Sequence, residues 1–352
     1  MADTITTVGA VKYGETLALA RQKILDAVVL WAKENEQFAD LFEEQTWEQG
    51  TDKLVYYAIA NPDVAVADVK PLTEGVAPAS EDLTFAKYEI ACENYGTTIN
   101  YTKEMYQKGL PEVTQYGATF LSTWGVQVLD ILKAKALAAS KATLTFPTSG
   151  TTKVYDCFQS AYAQLTENGA LPWNGSNYIA IVTGTVAEQL LKEAKDIITH
   201  TSEKEAVIKG YIGSIAGFDI KRVKSKVLSD GTNQTIIFMG RDPYTGSKPA
   251  VTYSLHGLDV TIEPLGSGTI IDANGNYRKD TLKQLGSIGI TMDCFAAAVT
   301  NDKCVLKCQA ANTNFTVVKE SAIDLDGRSN YVSGSKKTSP SATTGKDVTP
   351  GE

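Results

Sequence analysis

The side chains that could carry out nucleophilic chemistry are few in this chain. It has two histidines, His200 and His256. Its five cysteines are scattered: Cys92, Cys157, Cys294, Cys304 and Cys308. A thiol becomes an effective nucleophile when a histidine beside it acts as a base, so a hydrolase would pair Cys157 or Cys294 with a histidine. Nothing in the spacing brings such a pair together, and we interpret both histidines as surface or structurally satisfied residues.

Metal-binding patterns are weak as well. Cys304 and Cys308 are predicted to share one face of a strand, but a structural zinc site needs four ligands, and neither a histidine nor a further cysteine pair is near them. The segment from Asp272 to Tyr277 resembles a calcium loop, but its glycine stands at the fourth position and Lys283 replaces the bidentate glutamate. We predict an Asn-Gly hairpin turn there, buried free thiols, no metal and no cofactor.

The sequence also lacks the fingerprints of common enzymes. It contains no G-x-S-x-G elbow, no P-loop and no H-E-x-x-H motif. The glycines between Gly210 and Gly217 have the wrong spacing for a dinucleotide fingerprint. We therefore predict that the chain is not an enzyme.

Composition narrows the class further. The 352 residues are 43% hydrophobic and 21% charged, with a net charge of -8, which is typical of a soluble globular protein. The acidic balance disfavours sequence-specific DNA binding, which requires many cations against phosphate. No apolar run reaches the roughly eighteen residues of a membrane span, and we expect no export signal at the N-terminus.

The element that stands out is a long hairpin arm. Residues 54–59 and 83–91 read as strands, and a further β-prone run, 94–102, follows at once. A connection as long as the one between the first two strands is uncommon inside a compact domain and usually serves a partner. Its tip, which we predict to contact another subunit, consists of Pro71, Leu72, Thr73, Glu74, Gly75 and Val76.

Two helices are predicted around this arm. The first, 15–36, either packs on its own domain or docks on a neighbour as an N-terminal arm, and its apolar stripe is Leu17, Ala20, Ile24, Val28 and Trp31. The second, 112–140, is long enough to form a structural spine, and its predicted buried side is Val113, Tyr116, Phe120, Trp124, Val128, Ile131 and Leu132.

The remainder is predicted to be helix 155–167, a buried strand over 177–182, a helix that ends near residue 198, and mostly strands beyond it. Those later strands are 217–220, 235–239, 250–253 and 260–262. Residues 287–299 and 303–309 are predicted to form a closing hairpin. From about residue 319 the polar composition predicts a disordered tail.

The order of these segments resembles the phage major capsid proteins of the N-four type. The matching blocks are the arm tip, Tyr95-Gly96, Tyr101-Thr102, the long helix, 179–184, the G-x-I-G-x-I-x-G pattern of 210–217, 257–266 and 284–289. The likeness runs from about residue 15 to 310. It implies an α+β fold of the Hong Kong 97 type.

Mapped onto this chain, the resemblance implies an N-terminal arm (1–42) and an extended loop (43–94). A peripheral domain (95–151 and 286–318) would hold the long spine helix, and an axial domain (152–285) and a flexible tail (319–352) would complete the subunit. The resemblance also implies a function: self-assembly into hexamers and pentamers of an icosahedral phage head, a virion that encloses double-stranded DNA by proximity and not by specific binding.

The resemblance further implies portal, scaffolding or decoration proteins as partners and no membrane. A long N-terminal scaffolding segment is missing from the pattern, so we expect any scaffold to be a separate protein. Three alternatives remain open at this point: the shell of a bacterial nanocompartment of the encapsulin kind, the Cys/His hydrolase, and an exported surface adhesion module.

Overall fold

The computed structural model describes residues 35–47, 53–59, 71, 74–75, 85–104, 113–145, 154–198, 214–255, 257–263, 269–271, 277–279 and 285–311. The α-helices with named bounds in these ranges are α1 (Val113–Ala138), α2 (Val154–Glu167) and α3 (Gly184–Ile198). The strands are β1 (Glu43–Thr46), β2 (Lys53–Ile59), β3 (Phe85–Ala91), β4 (Glu93–Thr102), β5 (Thr143–Thr145), β6 (Tyr178–Thr183), β7 (Ser214–Ile215), β8 (Phe218–Val223), β9 (Asn233–Met239), β10 (Ala250–Ser254), β11 (Leu258–Glu263), β12 (Thr269–Ile271), β13 (Tyr277–Lys279), β14 (Leu285–Val299) and β15 (Val305–Ala311).

The long helix is confirmed, but its predicted buried side is wrong at Phe120, whose side chain is 59% exposed. The residue after it, Leu121, is fully buried. A Cβ added at Gly117 would lie 3.1 Å from Ile288, and one at Gly125 would lie 3.3 Å from Ile290. The helix therefore packs on β14 through a stripe that includes these small residues, because a missing side chain lets the backbone approach the sheet closely.

Strand β14 is the central strand of a five-stranded sheet and pairs with three of the other strands. Its first half pairs antiparallel with β4 on one side and with β11 on the other, and its second half pairs with β10. β1 runs parallel to β10 at the end of the sheet. The register shifts between Met292 and Phe295, where Cys294 has a φ of 49°. A β-bulge of this kind bends a strand, and the amide of Cys294 donates to Asn94 Oδ1 at 2.7 Å.

The second sheet has six strands in the order β5-β15-β9-β6-β8-β7. Its central strands are apolar on both faces, as predicted for 177–182, because both faces are covered. On β9, Ile236 and Phe238 face the cluster formed with α2 and α3, whereas Ile237 and Met239 face a second cluster. That second cluster contains the end of α1 and residues 38–42. The sheet is thus the middle of three layers.

The predicted closing hairpin is wrong. Both strands exist, but β14 belongs to the five-stranded sheet and β15 pairs with β9 and β5 in the six-stranded sheet. Thr300 separates them by donating its amide and its hydroxyl to the Pro249 carbonyl, and a short 3-10 turn, Asp302–Cys304, redirects the chain. A turn signal between two β-prone runs does not reveal that each run has better partners elsewhere.

Other predictions are confirmed where they can be compared. Helix 155–167 is α2, and it ends before Gly169, whose φ of 74° favours glycine. β12 and β13 pair antiparallel around the predicted Asn-Gly turn, whose own residues lie outside the described ranges. The predicted N-terminal helix, apart from its last residues, and the predicted disordered tail lie outside them too. β15 lies in the sheet of residues 152–285, although the predicted domain boundaries group it with the long helix.

Candidate functional site

The hairpin arm, formed by β2 and β3, presents one exposed face. The two strands pair antiparallel, with Val55 opposite Glu89, Tyr57 opposite Lys87 and Ile59 opposite Phe85. Because directly paired residues point to the same side of a sheet, the side chains of Val55, Tyr57 and Phe85 share a face. They are 42%, 60% and 55% exposed. Aromatic and branched side chains in the open on a two-stranded ribbon are the type of surface that another protein covers.

Charged side chains lie on the same face. Glu89 contacts Lys87 at 2.7 Å and Lys53 at 3.6 Å. The hydrogen bond between Lys87 and Glu89 raises the pKa of the lysine and lowers that of the carboxylate. Exposed pairs of this kind add little stability, but they keep the Lys53, Lys87 and Glu89 side chains next to one another on this face. The face therefore interleaves apolar and charged side chains, because Glu89 lies opposite Val55 and Lys87 opposite Tyr57.

The root of the arm is fixed to the five-stranded sheet. Ile90, on the opposite face of β3, is buried in a cluster with Trp47, Val251 and Tyr253. The Trp47 and Tyr253 rings meet edge to face with centroids 6.1 Å apart. β4 then starts directly after Cys92 and runs along β14. The root of the arm is therefore packed on the five-stranded sheet, whereas the face that carries Val55, Tyr57 and Phe85 is exposed.

The predicted contact residues are only partly described. At the arm tip, Pro71, Glu74 and Gly75 are exposed, and Gly75 has a φ of 80°, a value that favours glycine in a turn. Leu72, Thr73 and Val76 lie outside the described residues. The predicted contacts of the N-terminal arm, Leu17, Ile24, Val28 and Trp31, lie outside them as well, so contacts by both sets stay predictions.

A segment that sequence reasoning missed joins the N-terminal part of the chain to the core. We call residues 35–47 the anchor segment. Its Phe38, Leu41 and Phe42 are fully buried against α1 and the six-stranded sheet. Lys133 of α1, only 2% exposed, approaches Glu36 at 2.5 Å and lies over the Phe42 ring. Buried charges must be paired, so this ion pair fixes the anchor segment on the long helix.

A second carboxyl group holds the same segment. Asp130, one helical turn before Lys133, accepts a hydrogen bond from the Gln37 amide at 3.0 Å. Burial raises the pKa of Asp130 to about 6, and the Glu36 carboxylate adds to the rise. The amides of Gln37 and Phe38 and the charge of Lys133 oppose it. The sequence signal for this cluster was only a charged pair, Asp130 and Lys133, on either side of the apolar residues Ile131 and Leu132.

The groups considered for nucleophilic chemistry do not form a site among the described residues. Cys157 is buried between α2 and the six-stranded sheet, whereas Cys294 packs at the root of the arm. Both histidines lie outside the described ranges. Within those ranges, no group of three or more potential ligands could hold a metal ion, and no helix is long and apolar enough to cross a membrane.

The grooves of the described surface are shallow. One, of about 270 Å³, runs between α1 and the root of the arm and includes Glu93, Lys135 and Phe295. Another, of about 490 Å³, lies beside β5 and the end of α2 and includes Gln164 and Lys303. Small-molecule sites are usually enclosed and reach about 300 to 1,000 Å³. Both grooves are open to solvent, so neither has the enclosed form of a small-molecule site.

Sequence comparison alone finds no relatives. No protein-family model matches this chain, and no curated protein matches it. Solved structures do match. The capsid of the cyanophage P-SCSP1u aligns over 77% of this chain and 86% of its own, with a TM-score of 0.55 and 12% sequence identity.

Two further capsid structures align in the same way. The acid-stable capsid of Helicobacter pylori bacteriophage KHP30 has a TM-score of 0.55 and 10% identity, over 79% of this chain and 92% of its own. The capsid of Ralstonia phage GP4 has a TM-score of 0.52 and 13% identity, over 77% and 87%. Such a likeness establishes the fold: an α+β capsid fold of the Hong Kong 97 type, as predicted.

Proposed function

We propose that this chain is a phage major capsid protein of the N-four type, whose copies assemble into the hexamers and pentamers of an icosahedral head around double-stranded DNA. One observation carries the proposal: the capsid fold presents a hairpin arm that is held at its root and exposes an apolar face. In this role the chain is a structural component of the virion and not an enzyme.

The arm supplies the assembly contact. Its Val55, Tyr57 and Phe85 side chains would be covered by the adjacent subunit, and the tip residues from Pro71 to Val76 would reach beyond that contact. Leu17, Ile24, Val28 and Trp31 of the N-terminal arm would add a second contact. Standard interfaces bury about 1,600 Å² in total. Several contacts of modest strength per subunit make a closed shell stable, since each copy is held by several neighbours at once.

The sheets suggest how the subunit is divided. We assign the five-stranded sheet and α1 to the peripheral domain, and the six-stranded sheet with α2 and α3 to the axial domain. The predicted ranges (95–151 with 286–318, and 152–285) then shift so that β10 and β11 join the peripheral domain, and β5 and β15 join the axial domain. The extended loop (43–94) includes β1 at its start, the N-terminal arm (1–42) ends within the anchor segment, and the tail (319–352) follows.

The partners follow from the same proposal. The net charge of -8 suits a shell wall that does not bind densely packed DNA tightly, because phosphate and carboxylate repel. Portal, scaffolding and decoration proteins would contact the assembled shell. Assembly would take place in the host cytoplasm, without a membrane.

Deletion of residues 66–80 tests the proposal. The chain should form uniform shells, or capsomers of five and six copies, visible by electron microscopy, whereas the deletion should give a folded, soluble subunit that does not assemble. A matched variant with the same fifteen positions replaced by glycine and serine keeps the length of the connection and removes its side chains, and we expect it to fail as well. Normal shells from both variants would contradict the arm contact.

The contents of the particles decide between two uses of this fold. Double-stranded DNA inside particles purified from infected cells would support the phage head. Particles that enclose a cargo enzyme instead of DNA would favour a nanocompartment of the encapsulin kind. A chain that stays monomeric under all conditions would contradict both.

A further inference from the structure

Two buried thiols meet in the core of the six-stranded sheet. Cys157 of α2 donates to the Sγ atom of Cys308 of β15, with the two sulfur atoms 3.1 Å apart. Both side chains are fully buried. They are separated by 151 positions along the chain, so the contact joins two distant parts of the sequence. Free thiols have weak hydrogen-bonding ability, and packing alone does not require two of them in contact.

We infer that Cys157 and Cys308 are a modification site, at which a disulfide bond forms under oxidising conditions. A disulfide has a sulfur–sulfur distance of about 2.05 Å. The two sulfur atoms, now 3.1 Å apart, must therefore approach each other by only about 1 Å. The inference concerns the folded subunit and does not rest on the proposed function.

A peroxide is an oxidant that suits this buried position because it is small. One thiolate attacks a peroxide oxygen, the O–O bond breaks, and the sulfur becomes a sulfenic acid while water leaves. The second thiol then attacks the sulfenic sulfur, the S–O bond breaks, and a second water carries away its oxygen and the remaining proton. Two thiols and one hydrogen peroxide thus give one disulfide and two waters, with two electrons passed to the peroxide.

The surroundings make this reaction slow. The hydrogen bond to Cys308, followed by burial, raises the pKa of the Cys157 thiol, and the thiol form is a poor nucleophile. A reducing cytoplasm would therefore keep both groups as thiols. Prolonged exposure to an oxidising medium would link them. The bond would then connect helix α2 to strand β15, which are separated by 151 positions at the two cysteines. A cross-link that closes such a long stretch of chain restricts the unfolded state more than one that closes a short stretch.

The experiment compares peroxide-treated and reduced samples of the full-length folded chain. After removal of the peroxide, the chain is unfolded in a denaturant that contains N-ethylmaleimide, which alkylates the free thiols. It is then digested and analysed by mass spectrometry. We expect a linked peptide pair containing Cys157 and Cys308 in the oxidised sample only, and a melting temperature several degrees above that of the reduced sample. Both measurements use the unmodified chain, so they do not depend on any variant that fails to fold.

A matched pair of variants assigns the bond. Cys308→Ala should abolish the linked pair and the stabilisation, whereas Cys304→Ala, which alters another buried thiol of the same cluster, should keep both. Alkylation of both Cys157 and Cys308 after oxidation, or their conversion to sulfonic acids without linkage, would overturn the inference. Linkage of either residue to a different cysteine would overturn it too.

Discussion

Asp130 shows how a single buried carboxyl group ties pH to the attachment of the anchor segment. Its pKa of about 6 in the folded chain, raised first by burial, lies above the value of about 3.9 in an unfolded chain. Its favourable contribution to stability is therefore complete below about pH 4 and is lost as the pH rises through 6. At neutral pH the ionised Asp130 is repelled by Glu36, and the single charge of Lys133 attracts both carboxyl groups.

Asp130→Asn should remove this pH dependence. An asparagine keeps an oxygen acceptor for the Gln37 amide but has no charge to bury. We expect the free energy of unfolding of the wild-type chain to fall by about 1.4 kcal/mol more than that of the variant between pH 5 and pH 7.5, because the wild-type group loses its proton across that range. Denaturant unfolding at both pH values measures the difference.

Asp230→Asn is the control for that measurement. The pKa of Asp230 is lowered, first by the hydrogen bond from the Asn233 amide and then by that from Thr232. Its favourable contribution is present above the unfolded pKa and is lost only as the pH falls further, so this variant should follow the wild-type slope between pH 5 and pH 7.5. Equal slopes for the Asp130 variant and the wild-type chain would contradict the role of Asp130.

At the scale of elements, local patterns predicted which segments form and two of the hairpins, but missed the pairing of distant strands. Sequence periodicity or composition within each segment was enough to predict the arm strands, the long helix and the buried strand 177–182. The partners of β14 and β15 could not be predicted, because pairing depends on distant segments with no local signal. The same holds for the buried stripe of α1. The spacing of large apolar residues predicts one face, whereas Gly117 and Gly125 lie against Ile288 and Ile290 of β14.

The candidate site divides in the same way. The length of the connection between the arm strands predicted a partner-binding element, but the exposed face was found only from the register that sets Tyr57 opposite Lys87. The anchor segment had no sequence signal of its own, since Phe38, Leu41 and Phe42 could equally belong to any short apolar turn. Its place between α1 and the six-stranded sheet is a property of tertiary packing.

The arm face leads to a prediction about assembly. Tyr57→Ser combined with Phe85→Ser should leave the subunit folded, because substitutions of exposed side chains usually change stability by no more than about 0.5 kcal/mol. It should raise the concentration required for shells at least tenfold, since aromatic side chains at the centre of an interface commonly contribute more than about 1.4 kcal/mol each. Light scattering against concentration measures the threshold.

Tyr244→Ser is the matched control, because Tyr244 is also exposed, at 44%, but lies in a turn after β9. It should assemble as the wild-type chain does. If all three proteins share one threshold while their melting temperatures agree, the arm face is not an assembly contact.

At the scale of the whole molecule, the charge balance would oppose the contacts that we propose for the arm. Each subunit carries a net charge of -8, so a shell gathers many like charges on a closed surface. The apolar arm face and the N-terminal arm would have to overcome that repulsion. Shell formation is therefore a balance between short-range burial, which salt hardly affects, and longer-range repulsion, which salt screens beyond about 10 Å at 0.1 M.

Raising the salt concentration should therefore promote assembly. Between about 50 mM and about 500 mM sodium chloride the screening length falls by roughly a factor of three, and the threshold concentration for shells should fall severalfold. Sedimentation at a series of subunit concentrations measures it. If attraction between charges such as Lys53, Lys87 and Glu89 and a neighbour dominated instead, salt would weaken that attraction and the threshold would rise. The direction of the change thus separates an apolar contact opposed by net charge from an interface built mainly on ion pairs.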